Sequence, residues 1–307
     1  MKRFSQIILI GSLLLFRTVS HGQQDPQYTQ YMYNMTVINP AYAGSQGTLN
    51  IGVLLRKQWV GFEGAPKTAT ASINAPVGNN IGLGFTVITD ETGPVKEQNL
   101  YADFSYTIQT SEVGRLAFGI KGGATFQRIF FDRLSTVEKE DPLIDVNNLN
   151  EIYPNVGAGI FYYSSRYYLG LSVPNILETR HFKKGKGKDS KASERMHYFL
   201  TTGYVFDLSE DVKLKPSIMV KAAVGAPVSI DLSANVLLYE KLEFGLSYRL
   251  DDSVSAIISF FIKPNLRIGY AYDHTVSDFG EHNSGTHEIM FHYNIDNSRN
   301  GKSPRFF

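Results

Sequence analysis

The chain has 307 residues, a length compatible with one large all-β domain. Its 30 Lys and Arg residues nearly balance 29 Asp and Glu residues, so its charge indicates no nucleic-acid partner. Charged residues make up 19%, below the ~25% of ordinary soluble domains, whereas Tyr and Phe are abundant. The absence of Cys excludes a lipoprotein anchor and disulfide bonds.

The N-terminus has the pattern of an export signal. Lys2 and Arg3 precede an apolar core over residues 7–16, which is shorter than the ~20 residues of a membrane-spanning helix. We predict cleavage after Gly22, which makes residues 1–22 a signal peptide. No later apolar run is long enough for a transmembrane helix, so the exported chain could cross a membrane only as a closed β-barrel.

Residues 23–47 lack the periodicity of a strand and are rich in Asn, Pro and Tyr. Two placements remain open for this segment. It could lie inside a barrel as a plug, with Asn39, Pro40 and Tyr42 as the candidate plug residues, or it could form a periplasmic tail.

From residue 48 onward, apolar and polar residues alternate in most segments, which is typical of β-strands. In 242–250, for example, Leu242, Phe244, Leu246 and Tyr248 alternate with polar or small residues. Most segments reach the ~10 residues of a tilted membrane strand, whereas soluble strands average ~5–6. We therefore predict an antiparallel transmembrane β-barrel over residues 48–295, followed by a periplasmic tail over 296–307. The predicted strands are 48–57, 67–75, 80–89, 98–109, 114–127, 154–163, 166–173, 195–208, 211–222, 227–238, 241–250, 253–262, 265–274 and 286–295, about fourteen in all.

The two faces of these strands differ in composition. Glycine weakens a solvent-facing strand, so a glycine-rich polar face favours a lumen in which something packs closely. Aromatic residues near strand ends are expected to form girdles at the membrane interfaces, and the apolar face is expected to contact lipid. The face glycines are Gly52, Gly82, Gly84, Gly119, Gly157, Gly159, Gly170, Gly203, Gly245 and Gly269, and the girdle candidates are Tyr106, Tyr162, Tyr167, Phe206, Tyr248, Tyr272 and Tyr293.

The connections alternate in length, as they do in outer-membrane barrels with short periplasmic turns. Connections after even-numbered strands are tight, and several after odd-numbered strands are long. An even strand number places both termini in the periplasm, consistent with export. The predicted long connections are 58–66, 90–97, 128–153, 174–194 and 275–285.

Several stretches resemble the PorP/SprF family, outer-membrane proteins of the type IX secretion system of Bacteroidota. They are NPAYAG (39–44), RKQWVGFEGAPKT (56–68), LGLSVPN (169–175), KLKPS (213–217), GAPVSIDL (225–232), SGTHEIM (284–290) and the C-terminal SPRFF. The resemblance implies localisation in the outer membrane, association with other type IX components, and a role in secretion or gliding machinery or beside a secreted surface adhesin.

Two loops carry candidate contacts. Arg56, Lys57, Trp59 and Pro66 flank the first long connection, where the single Trp could anchor a partner or fold over the barrel mouth. The Lys-rich stretch 178–195 is either a solvated loop or a site for lipopolysaccharide phosphates.

No cofactor, metal or catalytic site is predicted. There is no G-x-S-x-G motif for a hydrolase, and His282, His287 and His292 are spaced too widely for one metal site. The sequence favours a non-enzymatic docking barrel for protein secretion. The alternative is a diffusion or uptake channel for small solutes.

Overall fold

The computed structural model describes residues 27–130, 149–177, 196–223 and 226–295. The predicted signal peptide, the Lys-rich stretch and the C-terminal tail lie outside these residues. No helix among the described residues is long and apolar enough to cross a membrane. The strands are β1 (Leu49–Lys57), β2 (Lys67–Val77), β3 (Ile81–Thr92), β4 (Val95–Gln109), β5 (Arg115–Ile129), β6 (Leu149–Tyr163), β7 (Tyr167–Val173), β8 (His197–Tyr204), β9 (Phe206–Asp207), β10 (Val212–Ala223), β11 (Ser229–Leu238), β12 (Leu242–Arg249), β13 (Ser253–Lys263), β14 (Leu266–Thr275) and β15 (Thr286–Ile295).

These strands form one closed antiparallel barrel. Consecutive strands pair, except that β8 and β9 both pair with β10, and β1 pairs with β15 from Leu49↔Ile295 to Lys57↔His287, which closes the wall. β8 and β9 both pair with β10 and are separated only by Val205, so they form one wall strand. The barrel therefore has 14 strands, which confirms the predicted fold class. Closure leaves no open sheet edge within the membrane.

The apolar face of each strand points outward, as predicted. In β12, Leu246 is 66% exposed and Phe244 is 45% exposed, whereas Glu243 is fully buried inside the barrel. Outward aromatic side chains also lie near strand ends, including Tyr106 and Tyr293. The apolar side chains of residues 242–250 thus face lipid, and the polar side chains face an enclosed interior.

The connections differ in length at the two ends of the barrel. One end, named here the short-turn rim, has short turns between strands. The opposite end, named the long-loop rim, carries the longer connections 58–66 and 276–285. The prediction of a long connection over 90–97 is wrong. Strand β3 continues to Thr92, and β4 begins at Val95. Only Gly93, with a φ of 56°, and Pro94 lie between them and form a tight turn. The error arose because polar residues in this stretch lack the apolar row that marks a lipid-facing strand.

Candidate functional site

Residues 27–47, named here the luminal segment, lie inside the barrel. The segment contains single turns of helix at Tyr31–Tyr33 and Pro40–Tyr42, with the short helix α1 (Met35–Ile38) between them. Every residue from 28 to 43 is buried. The segment therefore occupies the lumen that the polar strand faces enclose.

Short turns let this segment satisfy its backbone without a strand partner. The Asn39 amide N–H donates to the Met35 carbonyl at 2.8 Å, closing α1. The Asn39 side-chain oxygen accepts from the Ala41 N–H at 3.0 Å and caps the following turn, in which Pro40 takes the first position. These buried backbone groups thus find hydrogen-bond partners locally, as buried backbone requires.

At the long-loop end, a buried ionic cluster holds the start of the segment. The Arg56 guanidinium lies 2.9 Å from an Asp273 oxygen and 3.0 Å from a Glu288 oxygen. Glu288 also accepts the backbone N–H groups of Thr29 (3.1 Å) and Gln30 (2.8 Å), and the Thr29 hydroxyl donates to Asp273 at 2.7 Å. Buried carboxylates are costly without such partners, so wall and segment stabilise each other here.

A second cluster surrounds Tyr33. Its ring lies 3.9 Å from the Arg267 guanidinium carbon and 5.0 Å from the Lys215 ammonium nitrogen. The Tyr33 hydroxyl donates to Glu243, which also pairs with Arg267, and it accepts from the Asn235 amide at 3.2 Å. Burial raises the pKa of the Tyr33 phenol, while the positive charge of Arg267 opposes that rise. Tyr33 therefore binds as a neutral donor.

Across the lumen, β5 contributes Lys121. Its ammonium group donates to the carbonyls of Thr36 (3.1 Å) and Val37 (2.8 Å) and lies 3.7 Å from an Asp103 oxygen. These carbonyls belong to α1, which is too short to satisfy them internally. One lysine thus fixes the middle of the segment to the wall.

Glycines allow the rest of the segment to touch the wall directly. A Cβ atom at Gly119 would overlap the backbone of Ala41, and one at Gly82 would overlap the carbonyl of Ala43. A Cβ atom at Gly159 would overlap the side chain of Asn39 in the luminal segment. At these three glycines of the predicted luminal face, the absence of a side chain therefore lets the segment pack directly on the strand.

The three predicted plug residues all lie in this tightly packed region. The Asn39 amide donates to the Ile160 carbonyl of β6 at 3.1 Å. Tyr42 packs edge-to-face on Phe161 at 5.3 Å between ring centroids. Pro40 is also buried. The polar wall partners were missed by sequence reasoning, because strand alternation identifies a face but not what that face touches.

The four residues predicted around the first long connection separate. Arg56 points into the lumen and is buried, whereas Lys57 is exposed. The Trp59 N–H donates to the Thr286 hydroxyl at 3.1 Å, and the Pro66 carbonyl accepts from the Gln58 N–H at 3.0 Å, which closes the loop. The sequence-based prediction grouped these four residues because they are close in sequence, but only Arg56 lies in the lumen and the other three lie at the rim.

The solved structures that match the chain include an outer-membrane protein, a channel and a transporter, all at low sequence identity. Omp33 of Acinetobacter baumannii is 7% identical, with a TM-score of 0.49 over 81% of this chain and 98% of that chain. The CymD monoaromatic hydrocarbon channel is 10% identical, with a TM-score of 0.48 over 86% and 99%. The P. putida toluene transporter TodX is also 10% identical, with a TM-score of 0.45 over 86% and 95%. No curated protein matches the chain.

A family model for "Type IX secretion system membrane protein PorP/SprF" matches residues 20–293. This range takes in the luminal segment and nearly the whole barrel. It confirms the resemblance found in the sequence motifs and, with the lipid-facing barrel, places the protein in the outer membrane. The chain therefore belongs to the PorP/SprF family of type IX secretion system membrane proteins.

Proposed function

We propose that this protein is a non-conducting docking barrel of the type IX secretion system. It would hold other secretion components at its periplasmic rim, or a secreted surface protein such as an adhesin at its long loops. The observation that carries this proposal is the occupied lumen. A channel for solutes needs a continuous polar passage, and the luminal segment stands where that passage would run.

The contacts of the segment support a fixed rather than a mobile filling. Side chains or backbone groups of ten strands hydrogen-bond to it, so it is held around most of the circumference. Its partners include Arg56, Thr70, Asn74, Ser105, Lys121, Ile160, Ser172, Asn235, Glu243, Asp273 and Glu288. Removing the segment would deprive the buried carboxylates of Asp273 and Glu288 of the hydrogen bonds that Thr29 and Gln30 donate, which is unfavourable.

The rims are then the surfaces left for function. We assign the long-loop rim to the outside of the cell. The short turns at the other end would face the periplasm, as in other outer-membrane barrels. This orientation puts the start of β1 and the end of β15 on the periplasmic side.

The rival function is a diffusion or uptake channel. Conductance of the purified full-length protein in planar lipid bilayers separates the two. A docking barrel gives no steady current, whereas well-resolved open channels in the unmodified protein would overturn the proposal.

Affinity purification from the native outer membrane tests the docking role itself. We expect type IX components or a large secreted adhesin to co-purify with the protein. A variant lacking the long-loop residues 58–66 is the matched control, because it should lose only partners bound at that rim. Recovery of neither class of partner would contradict the proposed function.

A further inference from the structure

The first long connection forms a rigid shelf at the long-loop rim, named here the Trp59 shelf (residues 58–66). The Val60 N–H donates to the Gly285 carbonyl at 2.8 Å, and the Ser284 N–H donates back to the Val60 carbonyl at 2.7 Å. On the other side, the Gly93 N–H of the β3–β4 turn donates to the Gly64 carbonyl at 2.8 Å. The shelf is thus hydrogen-bonded to two neighbouring connections.

Aromatic residues cover this shelf. Phe279 lies edge-to-face with Trp59 at 4.8 Å and with Phe62 at 5.3 Å between ring centroids. Phe62 is 48% exposed. This cluster projects beyond the strand ends, so lipid contact does not account for it. An ordered aromatic cluster exposed outside the membrane is a typical binding feature.

The backbone of Trp59 is strained in the same place. Its φ of 46° lies in the left-handed region, which a bulky residue rarely adopts. Such a conformation persists only when surrounding contacts fix it, and it occurs often at binding sites. Here the bond of Trp59 to Thr286 of β15 and the bonds of Val60 to the β14–β15 connection provide that fixation.

A cavity of about 400 Å³ lies between the shelf and the β3–β4 turn. Its volume suits one or two large side chains rather than a folded domain. The charged groups around it number two of each sign, so the cavity has no net charge. Its side-chain lining includes Trp59, Phe62, Lys57, Lys67, Glu63 and Glu91.

We propose that this cavity binds an extended segment of a partner protein, which inserts an apolar side chain between Trp59 and Phe62. In the partner segment, positively and negatively charged residues flank that apolar side chain. They face the carboxylates and the ammonium groups of the cavity, respectively. The inference rests on the proposed docking function and identifies where docking occurs. A polyanion such as a lipopolysaccharide headgroup fits less well, because it would meet Glu63 and Glu91 as well as the two lysines.

The single Trp makes the site directly observable. Trp59 is the only Trp in the chain, so tryptophan fluorescence of the purified full-length protein reports this cavity alone. The partner segment is first captured in living cells with a photo-crosslinking amino acid at position 62. The same amino acid at position 113, in an exposed apolar position of the short-turn rim, is the matched control. The captured segment is then synthesised as a peptide.

We expect the cross-link from position 62, but not from position 113, to map to an apolar residue flanked by charges of both signs. The peptide should change the Trp59 fluorescence and lose about tenfold or more in affinity in Phe62→Ser, with Val113→Ser unchanged. A cross-link to lipopolysaccharide alone, no cross-link, or equal affinity in both variants would overturn the proposal. If type IX components still co-purify in that case, the docking function stands and only its location is wrong.

Discussion

Replacing Gly119 with Ala should displace the luminal segment from its contact with β5 while leaving the barrel wall intact. The added Cβ would overlap the backbone of Ala41, which cannot rotate away as a flexible side chain could. Overpacking of this kind costs about 1–3 kcal/mol. Because Gly→Ala also stiffens the unfolded chain, about 0.4–1 kcal/mol is recovered. We therefore expect a net loss of about 1–2 kcal/mol in the free energy of unfolding.

Gly122→Ala is the matched control for that measurement. Gly122 lies on the same strand with its open side outward, and a Cβ there would meet nothing within 4 Å. Urea-induced unfolding of both variants in lipid vesicles gives the comparison, with Gly122→Ala close to the unmodified protein. If Gly119→Ala were as stable as Gly122→Ala, the close contact between segment and wall would not exist as described, and the lumen would have room to spare.

Two further predictions use the same unfolding assay. Arg56→Met leaves two buried carboxylates without their cation and should cost about 3–5 kcal/mol, whereas Arg166→Met breaks an exposed ion pair with Asp207 and should cost at most about 1 kcal/mol. Equal losses would mean that the luminal ionic cluster contributes nothing beyond a surface pair. Leu246→Arg places a charge on the lipid-facing surface and should cost about 2–4 kcal/mol, and Leu246→Phe should be nearly neutral. A tolerated arginine at this position would reverse the assigned orientation of β12.

The wall of this barrel was predictable because membrane strands obey a simple local rule. In residues 242–250, every second side chain is apolar, and lipid on one side and protein on the other require that alternation. The same rule failed at residues 90–97. There β3 and β4 rise above the apolar band, where no lipid selects an apolar row, and their polar alternation looked like a loop.

The site was less predictable, because its contacts join residues far apart in sequence. Arg56 is 217 positions from Asp273 and 232 from Glu288. Its position beside Lys57 and Trp59 suggested a loop role, but its strand parity with Gly52 already placed it on the polar, glycine-rich face. The glycine-rich face was a usable signal for close packing, whereas the identity of the packed segment required the tertiary structure.

The buried charges of the interior support the proposed docking function at the rims. In a water-filled barrel, luminal charges remain hydrated and accessible to solute. Here Glu243 and Glu288 have no exposed surface, and each is paired with an arginine and with the luminal segment. Breaking one of these pairs to pass a solute would leave an unpaired buried charge, at a cost of about 3–5 kcal/mol. This cost supports the proposed docking function, in which a partner binds at an end of the barrel.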